Sequence, residues 1–135
     1  MAPIIVPAYA AVFAFVYILL SARVIRARWY ARAPIGTKGD IGLERKIRVH
    51  GNFAEYVPFA LLLATFVEMQ NWPAWFIHLL CLALLAGRVV HAYGVSQQRE
   101  NTRLRVVGIG TTFIVIATAA LALLASAISA FITSN

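Results

Sequence analysis

The sequence has little charge for its length and very little cysteine. Of its 135 residues, 13% are charged, against about 25% in an ordinary soluble domain. The apolar fraction is 61%, which excludes a disordered chain because disorder requires low hydrophobicity. One cysteine, Cys81, excludes an intrachain disulfide scaffold. These shortages indicate an integral membrane protein.

Acidic residues are also scarce, with 5 Asp and Glu against 12 Lys and Arg, a net charge of +7. Such a basic chain could bind nucleic acid, but the positions of the charges argue against that partner. The basic residues cluster between apolar runs: eight lie between Arg23 and Arg48, and the other four are Arg88, Arg99, Arg103 and Arg105. Clusters of this kind are typical of membrane topology.

The apolar runs predict an all-α integral membrane protein, a bundle of four transmembrane helices in one domain, 1–135. Each run is long enough to cross a bilayer core of about 30 Å. The predicted spans are 3–25, 43–67, 74–94 and 104–131. No basic segment precedes the first run, which favours a retained span over a cleaved signal peptide. Asp40, at the end of the first connector, could cap the second helix.

The basic residues also predict the orientation of the spans. The first and third connectors hold almost all the Lys and Arg, whereas the turn between the second and third spans holds none. Short basic connectors stay on the cytoplasmic side. We therefore expect both termini on the non-cytoplasmic side.

Polar residues form one stripe in the first half of the second span. At about 100° per residue, the spacings of 3, 4 and 3 place four side chains near one helix face. These are Arg45, Arg48, Asn52 and Glu55. Lipid cannot satisfy such a stripe, so it should face protein or a wet cavity.

Three interpretations of this stripe remain open. It could be a polar clamp between helices or subunits that fixes helix register. It could bind a charged ligand, since arginines favour carboxylates, glutamate favours an ammonium group and asparagine offers both a donor and an acceptor. That set suits a zwitterion. It could also be a set of side chains that reach the interface without further consequence.

Other polar residues should lie at the same membrane face. Arg88 and His91 are three residues apart near the end of the third span, and Arg103 and Arg105 begin the fourth. An anionic ligand, or acidic residues of a neighbouring subunit, would relieve this positive charge. The three histidines are isolated, with no HxxxH or CxxC pair, so no metal site is expected.

The second span resembles a known signature. Residues 44–58 read ERKIRVHGNFAEYVP, similar to the ERxxRxxxNxxE pattern, followed by a proline, of the MAPEG family (membrane-associated proteins in eicosanoid and glutathione metabolism). The similarity extends to the chain length, the four spans, the basic first connector, Gly87-Arg88 late in the third span and Arg105 at the start of the fourth. The chain most resembles the microsomal glutathione transferases and bacterial members, which implies a bacterial inner membrane.

The resemblance implies a homotrimer that binds glutathione between subunits near the cytoplasmic face, with a lipophilic second substrate entering from the bilayer. Glutathione is then a co-substrate, and no metal is needed. The implied site residues are Arg48, Asn52, Glu55, Tyr56, Arg88, His91 and Arg103, with Arg23 (or alternatively Arg26) from the first helix and Arg105 as the catalytic residue.

The implied chemistry is activation of the glutathione thiol. A free thiol titrates near 8.5, and lowering that pKa by about two units takes roughly 2.7 kcal/mol of preferential thiolate stabilisation. One arginine in a poorly hydrated interface can supply energy of that order, and Arg105 is the candidate. The expected activity is a glutathione transferase or peroxidase acting on lipophilic electrophiles or lipid hydroperoxides.

Two departures from the family's specialised branches bear on the substrate. Val106 follows Arg105, where the members that isomerise prostaglandin endoperoxide have serine. His91 and Val95 occupy places that hold tyrosines in the branch that makes leukotriene conjugates. Both differences argue against a dedicated eicosanoid role. A non-catalytic family member that binds lipid, or serves as a scaffold, is the alternative.

Overall fold

The structure, a computed structural model, describes residues 2–97 and 101–134. The described chain forms four α-helices in sequence: α1 (Ile5–Ala31), α2 (Ile41–Met69), α3 (Ala74–Ser96) and α4 (Thr102–Ser134). The fold is therefore all-α, as the sequence predicts. Within the predicted third connector, residues 98–100, including Arg99, lie outside the described residues.

Helix α1 extends further into the first connector than predicted, to Ala31 instead of residue 25. It ends where Arg32 adopts a left-handed conformation, with φ of 49°, a common way to terminate a helix. The connector is thus shorter than expected, and several basic residues project from the helix surface. The predicted cap of α2 is confirmed: the Asp40 carboxylate accepts a hydrogen bond from the Leu43 amide at 2.9 Å.

Three of the described helices, α1, α3 and α4, are long and apolar enough to cross a membrane. The 29 residues of α2 could also reach across about 30 Å of hydrocarbon. Its composition does not identify it as a span, because charged residues are concentrated in its first half. Helix α2 instead packs against α1, α3 and α4, and its inner face contributes the buried side chains of Val49, Phe53 and Val57.

Glycine allows α3 and α4 to approach closely. A Cβ atom built on Gly108 would lie 2.5 Å from the His91 amide nitrogen and 2.6 Å from the Gly87 carbonyl oxygen. On Gly94 it would lie 2.8 Å from the Arg105 amide nitrogen. Small residues at such crossings are the usual means of close helix packing in membranes. The crossing fixes the start of α4 against the end of α3.

The opposite end of the bundle is held by a carboxylate from a different helix. Glu68, which follows the predicted second span, accepts hydrogen bonds from the first amides of α1, those of Ile4 (2.7 Å), Ile5 (2.6 Å) and Val6 (2.8 Å). These amides would otherwise lack partners, because the N-cap position of α1 provides no side-chain hydrogen bond. Glu68 therefore joins the end of α2 to the start of α1.

We predict that Glu68→Gln lowers the free energy of unfolding by about 1–2 kcal/mol at neutral pH, because an amide replaces a carboxylate at a helix N-terminus. Burial alone would raise the pKa of Glu68, but the hydrogen bonds from the three amides, together with the charge of nearby His78, lower the pKa overall. A carboxylate with a lowered folded pKa stabilises the protein above its unfolded pKa, and that contribution disappears as the pH falls through the folded value. Thermal unfolding in detergent should thus show a large difference at pH 7 and a small one in acid. A constant difference across this range would contradict the role of the charge.

Candidate functional site

A polar cleft lies at one end of the bundle, where α2 begins, α3 ends and α4 begins. Its volume is about 610 Å³, within the range of ordinary small-molecule sites. Both basic connectors lie at this end, since they join α1 to α2 and α3 to α4. The cleft is lined by Ile41, Glu44, Arg45, Arg48, Asn52, Tyr56, His91, Val95, Arg105 and Ile109.

Five of the predicted site residues therefore lie together in a single chain. Three come from α2, at positions 48, 52 and 56, and the others are His91 from α3 and Arg105 from α4. The α2 residues share a face because spacings of four residues return to nearly the same side of a helix. The remaining two reach the cleft because the glycine crossing holds the start of α4 against the end of α3. There the ring nitrogen Nδ1 of His91 lies 3.3 Å from the Arg105 carbonyl oxygen.

The predicted stripe differs from the observed lining at one position. Glu55 is exposed on the outer surface of the single chain and does not line the cleft, whereas Tyr56 does. Relative to Arg45, Arg48 lies about 60° around the helix and Glu55 about 80° on the same side, whereas Tyr56 lies about 20° away on the other side. Glu55 thus occupies the edge of the stripe that faces out of the protomer.

Arg88 is placed behind the cleft and does not line it. Only 3% of its surface is exposed. Its Nη1 donates to Asn52 Oδ1 at 2.6 Å and its Nη2 donates to the Gly108 carbonyl at 3.2 Å. Its guanidinium carbon lies 6.0 Å from the centre of the Tyr56 ring. Arg88 thereby connects α3 to α2 and α4, and it orients Asn52, which does line the cleft.

The remaining predicted site residues lie apart from the cleft. Arg23 lines a separate groove between α1, α2 and α3. Arg103 is exposed at the start of α4 and is absent from the cleft lining. Arg26, the alternative to Arg23, is likewise exposed on α1. Within one protomer, the cleft is therefore formed by α2, α3 and α4 without α1.

The cleft favours an anionic ligand with a cationic group. Arg48 and Arg105, together with Arg45, outnumber Glu44, the acidic residue of the lining. Arginine binds carboxylates through paired hydrogen bonds, whereas a carboxylate such as Glu44 favours an ammonium group. Tyr56 adds an aromatic wall, and its ring packs edge-on against Phe113 at 5.4 Å. Among the described residues, no cluster of His, Cys, Asp or Glu could hold a metal ion.

Two features of this end of the bundle were not predicted. Arg45 Nη1 donates to the Gln97 carbonyl at 2.6 Å, so Arg45 ties the start of α2 to the end of α3. Glu44 lines the cleft of its own chain, whereas the sequence alone pointed to an anionic ligand or to acidic residues of a neighbouring subunit for this basic cluster. The spacing of polar residues on α2 indicates that Arg45 and Glu44 lie at the same end of the bundle. The hydrogen bond from Arg45 to the end of α3 depends on how the two helices pack.

Comparison with known proteins gives two consistent findings. The MAPEG family model matches residues 6–125 of the chain. The chain is also 40% identical over 86 residues to the inner membrane protein YecN of Escherichia coli, strain K12, and equally to YecN of strain CFT073. The match covers 64% of this chain and 66% of each relative, slightly less than two thirds of the relatives' length.

Proposed function

Because this chain belongs to the MAPEG family, a family of integral, multi-pass membrane proteins, we propose that it is a glutathione-dependent transferase or peroxidase acting on lipophilic substrates. The observation that carries the proposal is the cleft itself. Five of the residues that the family signature implies for glutathione lie around one cavity of suitable size. Four of the five, at positions 48, 52, 56 and 105, match the family's motif residues.

The charges of glutathione match those of the cleft. Glutathione carries two carboxylates and one ammonium group. Arg48 and Arg45 are suited to the carboxylates, and Glu44 is suited to the ammonium group. Asn52 has a fixed orientation because its Oδ1 accepts from Arg88, which leaves its amide NH₂ to donate to the ligand. A preoriented amide loses less entropy on binding than a mobile one.

Arg105 is the group we assign to the thiol. It lies in the first turn of α4 and lines the cleft together with the α2 residues. A guanidinium beside the sulfur stabilises the thiolate, which is the nucleophilic form. In conjugation, the thiolate forms a carbon–sulfur bond with an electrophile and expels its leaving group. In peroxide reduction, two glutathione molecules supply two electrons and two protons, giving a disulfide, an alcohol and water.

Trimer formation is part of the proposal. Glu55 and Arg48 are both exposed on α2 in the single chain. Ionised side chains at that depth avoid lipid and face protein or water. A neighbouring protomer packed against this face would cover Glu55. Its own α1, with residues such as Arg23, would then lie close to the cleft of the first protomer. In this proposal all four helices span the membrane, and the cleft lies on the cytoplasmic side because both basic connectors are at that end.

The experiment that tests the function is thiolate formation on the purified protein in detergent. Addition of glutathione should produce the ultraviolet absorbance of a thiolate at neutral pH, where free glutathione is mostly protonated. S-methylglutathione is the matched control, because it keeps every charge of the ligand and lacks the ionisable thiol. Calorimetry should show that both molecules bind, and only glutathione should give the absorbance change.

The outcomes separate the alternatives. Absence of glutathione binding would overturn the proposal. Binding without thiolate formation would favour a non-catalytic lipid-binding or scaffold protein of the same family. Thiolate formation without turnover of an aromatic halide would show that this halide is not a substrate. A lipid hydroperoxide is therefore tested in parallel.

A further inference from the structure

A second cavity lies away from the polar cleft, at the end of α1. Its volume is about 670 Å³. Most of its lining residues are apolar and the others are two arginines: Ile25, Trp29, Ala33 and Pro34, with Arg28 and Arg32. Trp29 is 83% exposed, and Ile25 is 68% exposed. Neither the family signature nor the proposed function uses this surface.

The connector holds one of the two arginines of this cavity in place. Arg28 Nη1 donates to the carbonyls of Ala33 (3.2 Å), Pro34 (3.3 Å) and Gly36 (3.0 Å). Its Nη2 and Nε have no protein partner within the described residues and are left for a ligand. Arg32 lies one turn further along, on the same side of the chain, and its exposed guanidinium also lines the cavity.

The chain segment that forms this cavity carries charge of one sign. No Asp or Glu occurs among residues 1–39, whereas Arg23, Arg26, Arg28, Arg32 and Lys38 all fall within that segment. Arg28 and Arg32 line the same cavity, and like charges at short range repel each other. An anion bridging Arg28 and Arg32 would remove that repulsion. A phosphate group has the charge and the number of oxygen acceptors to do so.

The cavity is positioned at the level of lipid headgroups. The 27 residues of α1 extend about 40 Å, longer than the ~30 Å hydrocarbon core. Its last turns therefore reach the interface, where exposed tryptophan and tyrosine, here Trp29 and Tyr30, are typical. An apolar wall beside two arginines at this depth suits a molecule with an anionic head and acyl chains.

We propose that Arg28 and Arg32 form a binding site for the phosphate of an anionic phospholipid, with Ile25 and Trp29 contacting its glycerol and upper acyl chains. The occupant is a lipid and not free phosphate, because the apolar wall would otherwise stay exposed to water. Basic pockets at the ends of membrane helices are known to bind such headgroups. The site is independent of glutathione chemistry.

The test uses the full-length protein reconstituted in phosphatidylcholine vesicles. Electron spin resonance measures the relative association of spin-labelled phosphatidylglycerol and spin-labelled phosphatidylcholine with the protein. Wild-type protein should prefer phosphatidylglycerol. Arg32→Gln should lower that preference about fivefold, the factor equivalent to ~1 kcal/mol per basic residue near the surface. Arg26→Gln is the matched control, because it removes the same charge from the same helix outside the cavity.

Several results would overturn the proposal. Equal association of the two lipids with wild-type protein would exclude a site selective for the anionic headgroup. An equal loss in Arg26→Gln and Arg32→Gln would indicate diffuse attraction. Displacement of the lipid by inorganic phosphate at matched ionic strength would identify free phosphate as the ligand. A changed oligomeric mass in Arg32→Gln with unchanged lipid preference would identify the cavity as a contact between copies of the chain.

Discussion

Replacement of Gly108 by alanine is expected to lower the free energy of unfolding by about 3 kcal/mol, the largest stability effect we predict. The added Cβ would lie 2.5 Å from the His91 amide nitrogen, so the backbones of α3 and α4 must separate. Overpacking of this kind costs about 1–3 kcal/mol. Separation would also stretch the hydrogen bond from Arg88 Nη2 to the Gly108 carbonyl, a bond to a charged donor.

Cys81 provides the measurement. It is buried and the chain has no other cysteine, so a maleimide dye that fluoresces on reaction reports unfolding in detergent. The transition of Gly108→Ala should fall by about 10 °C. Gly110→Ala is the matched control, because a Cβ there meets nothing within 4 Å, and alanine should stabilise the helix by up to about 1 kcal/mol. Equal transitions for the two variants would contradict the close crossing.

Replacement of Arg105 by glutamine is expected to reduce glutathione conjugation about 25-fold at pH 7. The factor follows from the thiol: if its pKa returns from about 6.5 to about 8.5, the thiolate fraction at pH 7 falls from about three quarters to about 3%. The loss should shrink as the pH rises, because the variant's thiol then ionises without help. This prediction rests on the proposed function.

The measurement is kcat/KM against pH with an aromatic halide, in wild type and variant. Arg105→Lys is the matched control, because it retains the charge at the start of α4 and should recover most of the activity at pH 7. A loss that is independent of pH in Arg105→Gln would show that Arg105 positions glutathione without ionising its thiol. Unchanged activity would remove Arg105 from the mechanism.

The prediction of the cleft from sequence was strongest along α2. The spacing predicted Arg45, Arg48 and Asn52 on the face that lines the cleft, whereas Tyr56 was implied only by the family resemblance. Arg88 shows where that reasoning stops. Its position on α3 was foreseen, but its burial behind the cleft and its hydrogen bond to Asn52 follow from how three helices pack. A guanidinium that faces a ligand and one that braces an asparagine have the same sequence signature.

The proposed contribution of neighbouring protomers concerns site residues that lie outside the cleft of one chain. Glu55, Arg23 and Arg103 were implied as glutathione contacts by the family resemblance, and each is exposed outside the cleft of the single chain. Their roles stay predictions that depend on the trimer. An interface between copies is set by surface complementarity, which helix periodicity along one chain does not encode.

Composition and periodicity by themselves determined the class of this protein. Long apolar runs with few charges require a membrane, and polar spacings of three and four placed Arg45, Arg48 and Asn52 on one face of α2, although Glu55 of the same stripe lies outside the cleft. The tertiary structure decided which helices meet. The Glu68 carboxylate caps the first turn of α1, and Arg45 donates a hydrogen bond to the Gln97 carbonyl at the end of α3. Gly108, which lacks a Cβ, allows the backbone of α4 to pack against His91 of α3. These contacts join residues distant along the chain, and their geometry depends on the crossing of whole helices, which no local pattern specifies.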